Sequence, residues 1–359
     1  MKISSNSIII NVDSTILSKE ECKLLENEII GGVILFDHNY ENVEQTISLI
    51  DSIKSINNNI LIAVDHEGGR VQRFREEFTL LPSFESIGSI YLDDQDLADE
   101  IAYYCGYISG FELKRVGIDI NFSPVVDLSS ESNVLNSRTF SKNPEAIFRL
   151  ASRYIMGHID NGIMPVLKHF PGHGAVLSDT HTTISECNFD YDKLSPHVEP
   201  FKELYNKFKI PIMTSHITYK KISPQPVTMS SKWLSELSKT IFDQKPIFIS
   251  DDLEMSAISK NFENESKVDI LNKTFNAGCN LAIITTMQNK EIINSKESYY
   301  YFQKEYIDQS NNIDKTIAED INLLCFKDKC FYEDNSKNYH NALEGLSLIH
   351  ISEPTRPIR

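Results

Sequence analysis

The segment Lys168-His169-Phe170-Pro171-Gly172-His173-Gly174, running on to Asp179-Thr180-His181, puts a lysine, three histidines, an aspartate, two glycines and a proline into one loop. Imidazole titrates near neutrality, which equips histidine for proton transfer and for metal binding alike. Glycine opens backbone angles closed to other residues and proline fixes φ, so Pro171, Gly172 and Gly174 shape a loop rather than a helix. A second cluster, Ser250-Asp251-Asp252, follows the apolar run 246–249. Successive strand residues point to opposite faces, so one aspartate suffices to face a site at the strand end, and Asp251 is the nucleophile candidate. A buried ion pair is the competing role for either aspartate. A carboxylate nucleophile must stay ionised, and Lys168 or an arginine nearby would lower its pKa. The leaving group then needs an acid: His181 can supply the proton, with Asp179 orienting the ring and stabilising the imidazolium. Metal ligation is the rival chemistry, with His169, His173, Asp179 and His181 as donors. Against it stand the lack of an H-E-x-x-H helix and the turn residues that keep His169 and His173 out of helical register. No metal and no cofactor is expected.

These groups need a scaffold. Eight short runs, at 8–12, 32–36, 60–64, 118–126, 163–167, 210–213, 246–249 and 280–284, are rich in Ile, Val and Leu with little alternation, the pattern of parallel strands buried on both faces. Helical patterns lie between them. Ser18 and Glu21 form a capping box opening a helix to about residue 28, Asn143-Pro144 caps one to 160, and others are expected at 42–56, 96–116, 195–208, 230–241 and 266–276. Eight β–α units give an α/β fold, a single (β/α)8 TIM barrel with extra C-terminal helices. A doubly wound sheet usually has a glycine-rich turn after its first strand, where this chain has Asp13-Ser14-Thr15. In such a barrel the site forms at the C-terminal ends of the strands. There the chain carries Asp65 to Arg73, then Asp127 and Arg138, then the histidine-rich loop, then Ser215-His216 and the two aspartates. Carboxylates, guanidiniums, a lysine and imidazoles without a phosphate-cradling loop suit a neutral, hydroxyl-rich ligand.

Composition narrows the partners. Across 359 residues, 35 Lys and Arg against 51 Asp and Glu leave a formal charge of −16. That surface repels nucleic acid and anionic membranes, so neither is expected as a partner; the expected partner is the small hydroxyl-rich carbohydrate that the strand-end residues suit, and the chain is expected to be a monomer. The only apolar run near the N-terminus, Ile8 to Ile10, is too short for a signal-peptide core or a membrane span, so a cytoplasmic location is expected. Six cysteines include no CxxC pair and read as reduced thiols. Residues 1–345 are expected to form the barrel with a polar helical segment over 289–324. Residues 346–359, with two prolines and two arginines in the last six, read as a disordered or artefactual tail.

Several of these stretches together resemble the family 3 glycoside hydrolases, in particular the single-domain bacterial β-N-acetylhexosaminidases of peptidoglycan recycling. The likeness rests on 168–174 with Asp179 and His181, on Val64-Asp65-His66-Glu67-Gly68-Gly69-Arg70-Val71-Gln72-Arg73-Phe74, and on Asn121-Phe122-Ser123-Pro124-Val125-Val126-Asp127. It extends to Arg138-Thr139-Phe140, Met213-Thr214-Ser215-His216 and Ser250-Asp251-Asp252-Leu253-Glu254-Met255. The resemblance implies that Asp251 forms a covalent glycosyl-enzyme and that His181, paired with Asp179, is the acid/base. It also implies that Asp65, Arg73, Arg138, Lys168 and His169 bind the hydroxyls and acetamido group of a terminal N-acetylglucosamine. The implied activity is cofactor-free release of that sugar from anhydro-muropeptides with retention of configuration. His66 stands where glutamine is usual, His38 where arginine is usual and Ala175 where aspartate is common. Two other activities fit the same residues: hydrolysis or phosphorolysis of a different β-glycoside, and non-catalytic sugar binding. Loss of Asp251 or His181 would mark the last, and the chain has both.

Overall fold

The computed structural model describes residues 6–129, 135–176, 185–285 and 335–350. Eight parallel strands lie at its centre: β1 (Ile8–Asn11), β2 (Ile30–Leu35), β3 (Leu61–Val64), β4 (Ile120–Asn121), β5 in two parts (Met164–Pro165 and Leu167–Phe170), β6 (Ile212–Thr214), β7 (Phe248–Asp252) and β8 (Leu281–Ile284). Their hydrogen-bonded order runs from Met164–Pro165 through β4, β3, β2, β1, β8, β7 and β6 to Leu167–Phe170. The two ends of that order are halves of one strand separated by Val166, so the sheet closes into the (β/α)8 barrel. Along the strands, side chains alternate between two packing layers. Ile8 and Ile10 pack with Leu49, Ile50 and Ile53 of a surrounding helix, whereas Ile9 joins Ile34, Leu61, Ala63 and Ile283 of neighbouring strands.

The run expected as one strand over 118–126 pairs only at Ile120–Asn121 and again through a bridge from Val125 to Lys168. Pro124 lies between and has no N–H to give the ladder. The helices are α1 (Lys19–Leu25), α2 (Val43–Ile56), α3 (Phe84–Asp93), α4 (Gln95–Val116), α5 (Pro144–Asp160), α6 (Tyr191–Phe208), α7 (Ser238–Ile241), α8 (Ser256–Ser259), α9 (Lys267–Ala277) and α10 (Asn335–His350). Ser18 and Glu21 cap α1 reciprocally, and the stretch expected to start a helix at 230 enters α7 through a wider π turn over Lys232–Leu237. Helix α3 was not anticipated, because Gly88 in its middle weakens helical propensity. The glycine is there for contact: a Cβ at 88 would meet Phe140 O at 1.7 Å.

Helix α10 packs on α4, where Tyr339 Oη donates to Glu112 Oε1 at 2.6 Å. It runs past residue 345 to His350, and Leu346 is buried in the core, so the first residues of the expected tail continue a helix. Residues 351–359 and the segment 289–324 lie outside the described residues. Among the described residues Cys22, Cys105, Cys187 and Cys279 are free thiols, and no helix is long and apolar enough to cross a membrane.

Candidate active site

Asp65 follows β3 directly, and Glu67 lies two residues on, within the short strand His66–Gly68 that pairs back to Val71–Gln72. Residues two apart share a strand face, so both carboxylates reach the barrel mouth while His66 between them turns away onto Phe74 and Phe78. Asn121, at the end of β4, fixes that geometry: its Oδ1 accepts from His66 N at 3.0 Å and its Nδ2 donates to His66 O at 2.9 Å.

From β5, the buried Lys168 Nζ donates to Asp65 Oδ1 at 2.8 Å and lies 2.7 Å from Glu67 Oε1. Arg138 grips Glu67 with two parallel bonds, Nε to Oε2 at 2.9 Å and Nη2 to Oε1 at 2.7 Å, the fork geometry that makes arginine–carboxylate pairs strong. Arg73 lies 3.7 Å from Asp65 and over the Phe36 ring. Burial opposes the charge on Glu67, but Arg138 and Lys168 outweigh it and hold the carboxyl down to about 2. Burial likewise opposes ionisation of Asp65, and Lys168 and Arg73 keep it below the usual carboxylate range. Donors and acceptors are thus fixed at neutral pH in a cluster suited to pairs of sugar hydroxyls.

The neighbouring loop is organised by Asp127. His169 Nδ1 donates to its Oδ2 at 2.7 Å, and its Oδ1 accepts from His173 N at 2.7 Å. Asp127 is fully buried, yet His169 and His173 hold its carboxyl below the usual range against that burial. With Nδ1–H committed to the carboxylate, Nε2 is the ring nitrogen of His169 left as an acceptor. Gly172 has φ 136°, and a Cβ there would meet His197 Cβ at 2.6 Å, so conformation and space both require glycine. His173 is pushed down to about 4 by burial and by His169, while the charges of Asp127 and Asp251 pull the other way. Asp251 therefore lies within electrostatic reach of this loop.

At the end of β7 the two aspartates divide as strand alternation requires. Asp252 is buried, its Oδ1 accepting from Thr285 N at 3.0 Å and Glu254 N at 3.1 Å, its Oδ2 from Thr285 Oγ1. Burial lifts its carboxyl to about 7. His216 Nε2 hydrogen-bonds Asp252 O at 2.9 Å and its Nδ1 meets Thr228 Oγ1 at 2.8 Å, pinning the strand end. Asp251 is half-buried and accepts from Asp252 N at 2.9 Å.

The structure brings Asp65, Arg73, Arg138 and Lys168 into one network, with His169 next to Lys168 in the chain and Asp251 near the end of β7, close enough for its charge to act on His173. Lys168, considered above as a charge partner of Asp251, has its Nζ between Asp65 and Glu67. Asp179 and His181 lie outside the described residues. Two residues noted at the strand ends were given no role from the sequence. Glu67 was signalled by its period-two spacing from Asp65, and Asp127 by its place just beyond the fourth apolar run. Among the described residues no cluster of three or more His, Cys, Asp or Glu side chains could hold a metal ion.

Residues 8–312 match the glycosyl hydrolase family 3 N terminal domain. A β-hexosaminidase of Psychromonas ingrahamii is 37% identical over 279 residues, 77% of this chain and 81% of that protein. One of Nitrosomonas eutropha is 37% identical over 282 residues, 77% and 80% of the two chains. The crystal structure of NagZ from Neisseria gonorrhoeae in complex with N-trifluoroacetyl-D-glucosamine superposes with a TM-score of 0.84 at 29% identity, covering 98% of this chain and 99% of that one. A domain match spanning most of the sequence, on a barrel with a carboxylate-rich mouth, places the chain in glycosyl hydrolase family 3, and it is a glycoside hydrolase.

Proposed function

We propose that the protein is a retaining exo-β-N-acetylglucosaminidase that removes a terminal non-reducing N-acetylglucosamine from peptidoglycan-derived (anhydro)muropeptides in the cytoplasm. The observation that carries this reading is the buried Asp65–Lys168–Glu67–Arg138 network at the strand ends, in the same barrel whose β7 ends at Asp251 and Asp252. The similar proteins named β-hexosaminidase, and the similar gonococcal NagZ solved with an N-acylated glucosamine, support the choice of sugar.

In this reading Asp65, Arg73, Arg138, Lys168 and His169 hold the terminal sugar. Asp251 attacks the anomeric carbon and the glycosidic C–O bond breaks, the leaving oxygen taking its proton from His181, which Asp179 orients. His181, now neutral, accepts a proton from water as that water attacks the glycosyl-aspartate. The ester opens, Asp251 is regenerated and the sugar leaves with its β configuration. Asp252 and His216 act as positioning residues, holding the strand end from which Asp251 projects.

The test is turnover of an aryl N-acetyl-β-glucosaminide, with mass spectrometry of enzyme stalled on a slow fluorinated analogue. Asp251→Ala is expected to lose at least roughly 10³-fold in kcat, the scale for a removed nucleophile. The label should reside on the peptide containing Asp251. Near-normal kcat, or a label on another residue, refutes the assignment.

A further inference from the structure

The residue between Asp65 and Glu67 is held by its backbone rather than by its side chain. The His66 ring lies against Phe74 and Phe78, and both of its nitrogens are buried with no hydrogen-bond partner among the described residues. Its carbonyl, by contrast, accepts twice, from Asn121 Nδ2 at 2.9 Å and from Tyr154 Oη at 3.3 Å. Ser123 Oγ donates to Tyr154 Oη at 3.1 Å and so turns that hydroxyl's own hydrogen towards His66. The second hydrogen of Asn121 Nδ2 goes to His158 Nε2 at 2.9 Å. A neutral imidazole has one donor and one acceptor, so this Nε2 is bare and Nδ1 donates to Tyr154 O at 3.3 Å. Burial holds the imidazole down to about 4, which keeps it an acceptor at pH 7. The titratable groups that face it, His66 and Tyr154, are uncharged there too, since burial lowers the first and raises the second.

Tyr154 and His158 are four residues apart on α5 and share one face of the helix. Both are fully buried, and burying a hydroxyl and an imidazole costs stability that apolar residues at those places would not. What the two polar groups add is orientation. A flipped Asn121 amide would set its oxygen against both the bare Nε2 of His158 and the His66 carbonyl, so His158 selects the amide orientation that grips residue 66. We propose that His158 and Tyr154 are positioning residues for the reaction: through Asn121 and the His66 carbonyl they fix the direction in which Asp65 and Glu67 leave the backbone. The inference rests on the sugar-holding role given to Asp65 above. It makes α5, on the outside of the barrel, a support of the carboxylates at its mouth.

The experiment measures KM and kcat separately on 4-nitrophenyl N-acetyl-β-glucosaminide for three variants. His158→Leu fills the space but offers Asn121 no acceptor, His158→Gln brings an amide oxygen to the place of Nε2, and Tyr154→Phe removes only the hydroxyl. Sugar-holding contacts act on ground and transition states alike, so their misalignment raises KM and leaves kcat. KM is expected to rise roughly tenfold in His158→Leu, short of the ~10²-fold of a displacement of about 1 Å, and roughly fivefold in Tyr154→Phe. In His158→Gln it should return to within about twofold of the parent. A merely structural role would instead reduce the active fraction and lower the apparent kcat at unchanged KM. That pattern overturns the proposal, as does a KM within about twofold of the parent in both His158→Leu and Tyr154→Phe, or a His158→Gln that behaves like His158→Leu. Should His158→Leu fail to fold, Tyr154→Phe, which loses a single oxygen, decides by the same criterion. A parent that does not turn over the aryl glycoside refutes the N-acetylglucosaminidase reading and this role with it, whereas an active parent with unmoved KM refutes the role alone.

Discussion

Replacing Glu67 by glutamine keeps the volume of the side chain and removes the charge on which two buried cations converge. Three bonds end on this carboxylate, two from Arg138 and one from Lys168, and it is 2% exposed. Its pKa falls from the ordinary 4.5 to about 2 in the fold. At about 1.4 kcal/mol per pH unit, that difference is worth roughly 3 kcal/mol. Breaking a buried pair by removing one partner costs about 3–5 kcal/mol, so two independent routes agree. The sign is that of a depressed acid: the stabilisation is complete above the unfolded value of 4.5 and fades as pH falls towards 2. Glu67→Gln should therefore be less stable than the parent by roughly 3 kcal/mol at pH 7, and by only about half of that at pH 3. With an urea m-value on the order of 3 kcal/mol/M, the pH 7 midpoint moves by about 1 M. Freed from its carboxylate, Arg138 should also hold sugar poorly, and KM on the aryl glycoside should rise roughly tenfold. A difference under about 0.5 kcal/mol at pH 7, or one that stays constant between pH 7 and pH 3, would refute the claim that Glu67 is an ionised keystone.

Three further outcomes are expected. His181→Ala should lose far more rate on a poor leaving group than on nitrophenolate, because only the former needs protonation; equal losses would remove His181 from the acid role. His66 is buried against Phe74 and Phe78, and burial drives its pKa from 6.5 to about 3. A depressed histidine supports the fold fully above 6.5 and progressively less as pH falls towards 3. His66→Phe should accordingly lose roughly 2 kcal/mol less stability than the parent between pH 7 and pH 5, and parallel curves in denaturant titrations would contradict this. Turnover should survive dialysis against EDTA, and a loss restored by added zinc would revive His169, His173, Asp179 and His181 as metal ligands.

The fold was legible because parallel strands buried on both faces read as unbroken Ile, Val and Leu runs, and because Ser18 with Glu21 and Asn143 with Pro144 mark helix starts locally. What misled was also local. Gly88 reads as a helix weakener until Phe140 is seen against it, and Pro124 sits inside an apolar run whose ladder it interrupts. The site was legible by residue type at the strand ends but not by partnership. Lys168 and Asp65 are 103 residues apart, and only the closed barrel says that the lysine serves that carboxylate. Asp127 shows the same limit: an aspartate after an apolar run is easily noticed, but its hold on both His169 and His173 depends on a loop that folds back onto it.

The place of β5 between two neighbours has a consequence for the site. It pairs with the β4 side through Met164–Pro165 and again at Lys168, and with β6 through Leu167–Phe170, so it is the seam that joins them. The same seam carries Lys168, whose ammonium must reach across to the β3 loop. Without β5 in place, Asp65 and Glu67 would face each other without their shared cation. The strand that closes the sheet between β4 and β6 is thus also the one that completes the buried charge network, and neither can be had without the other.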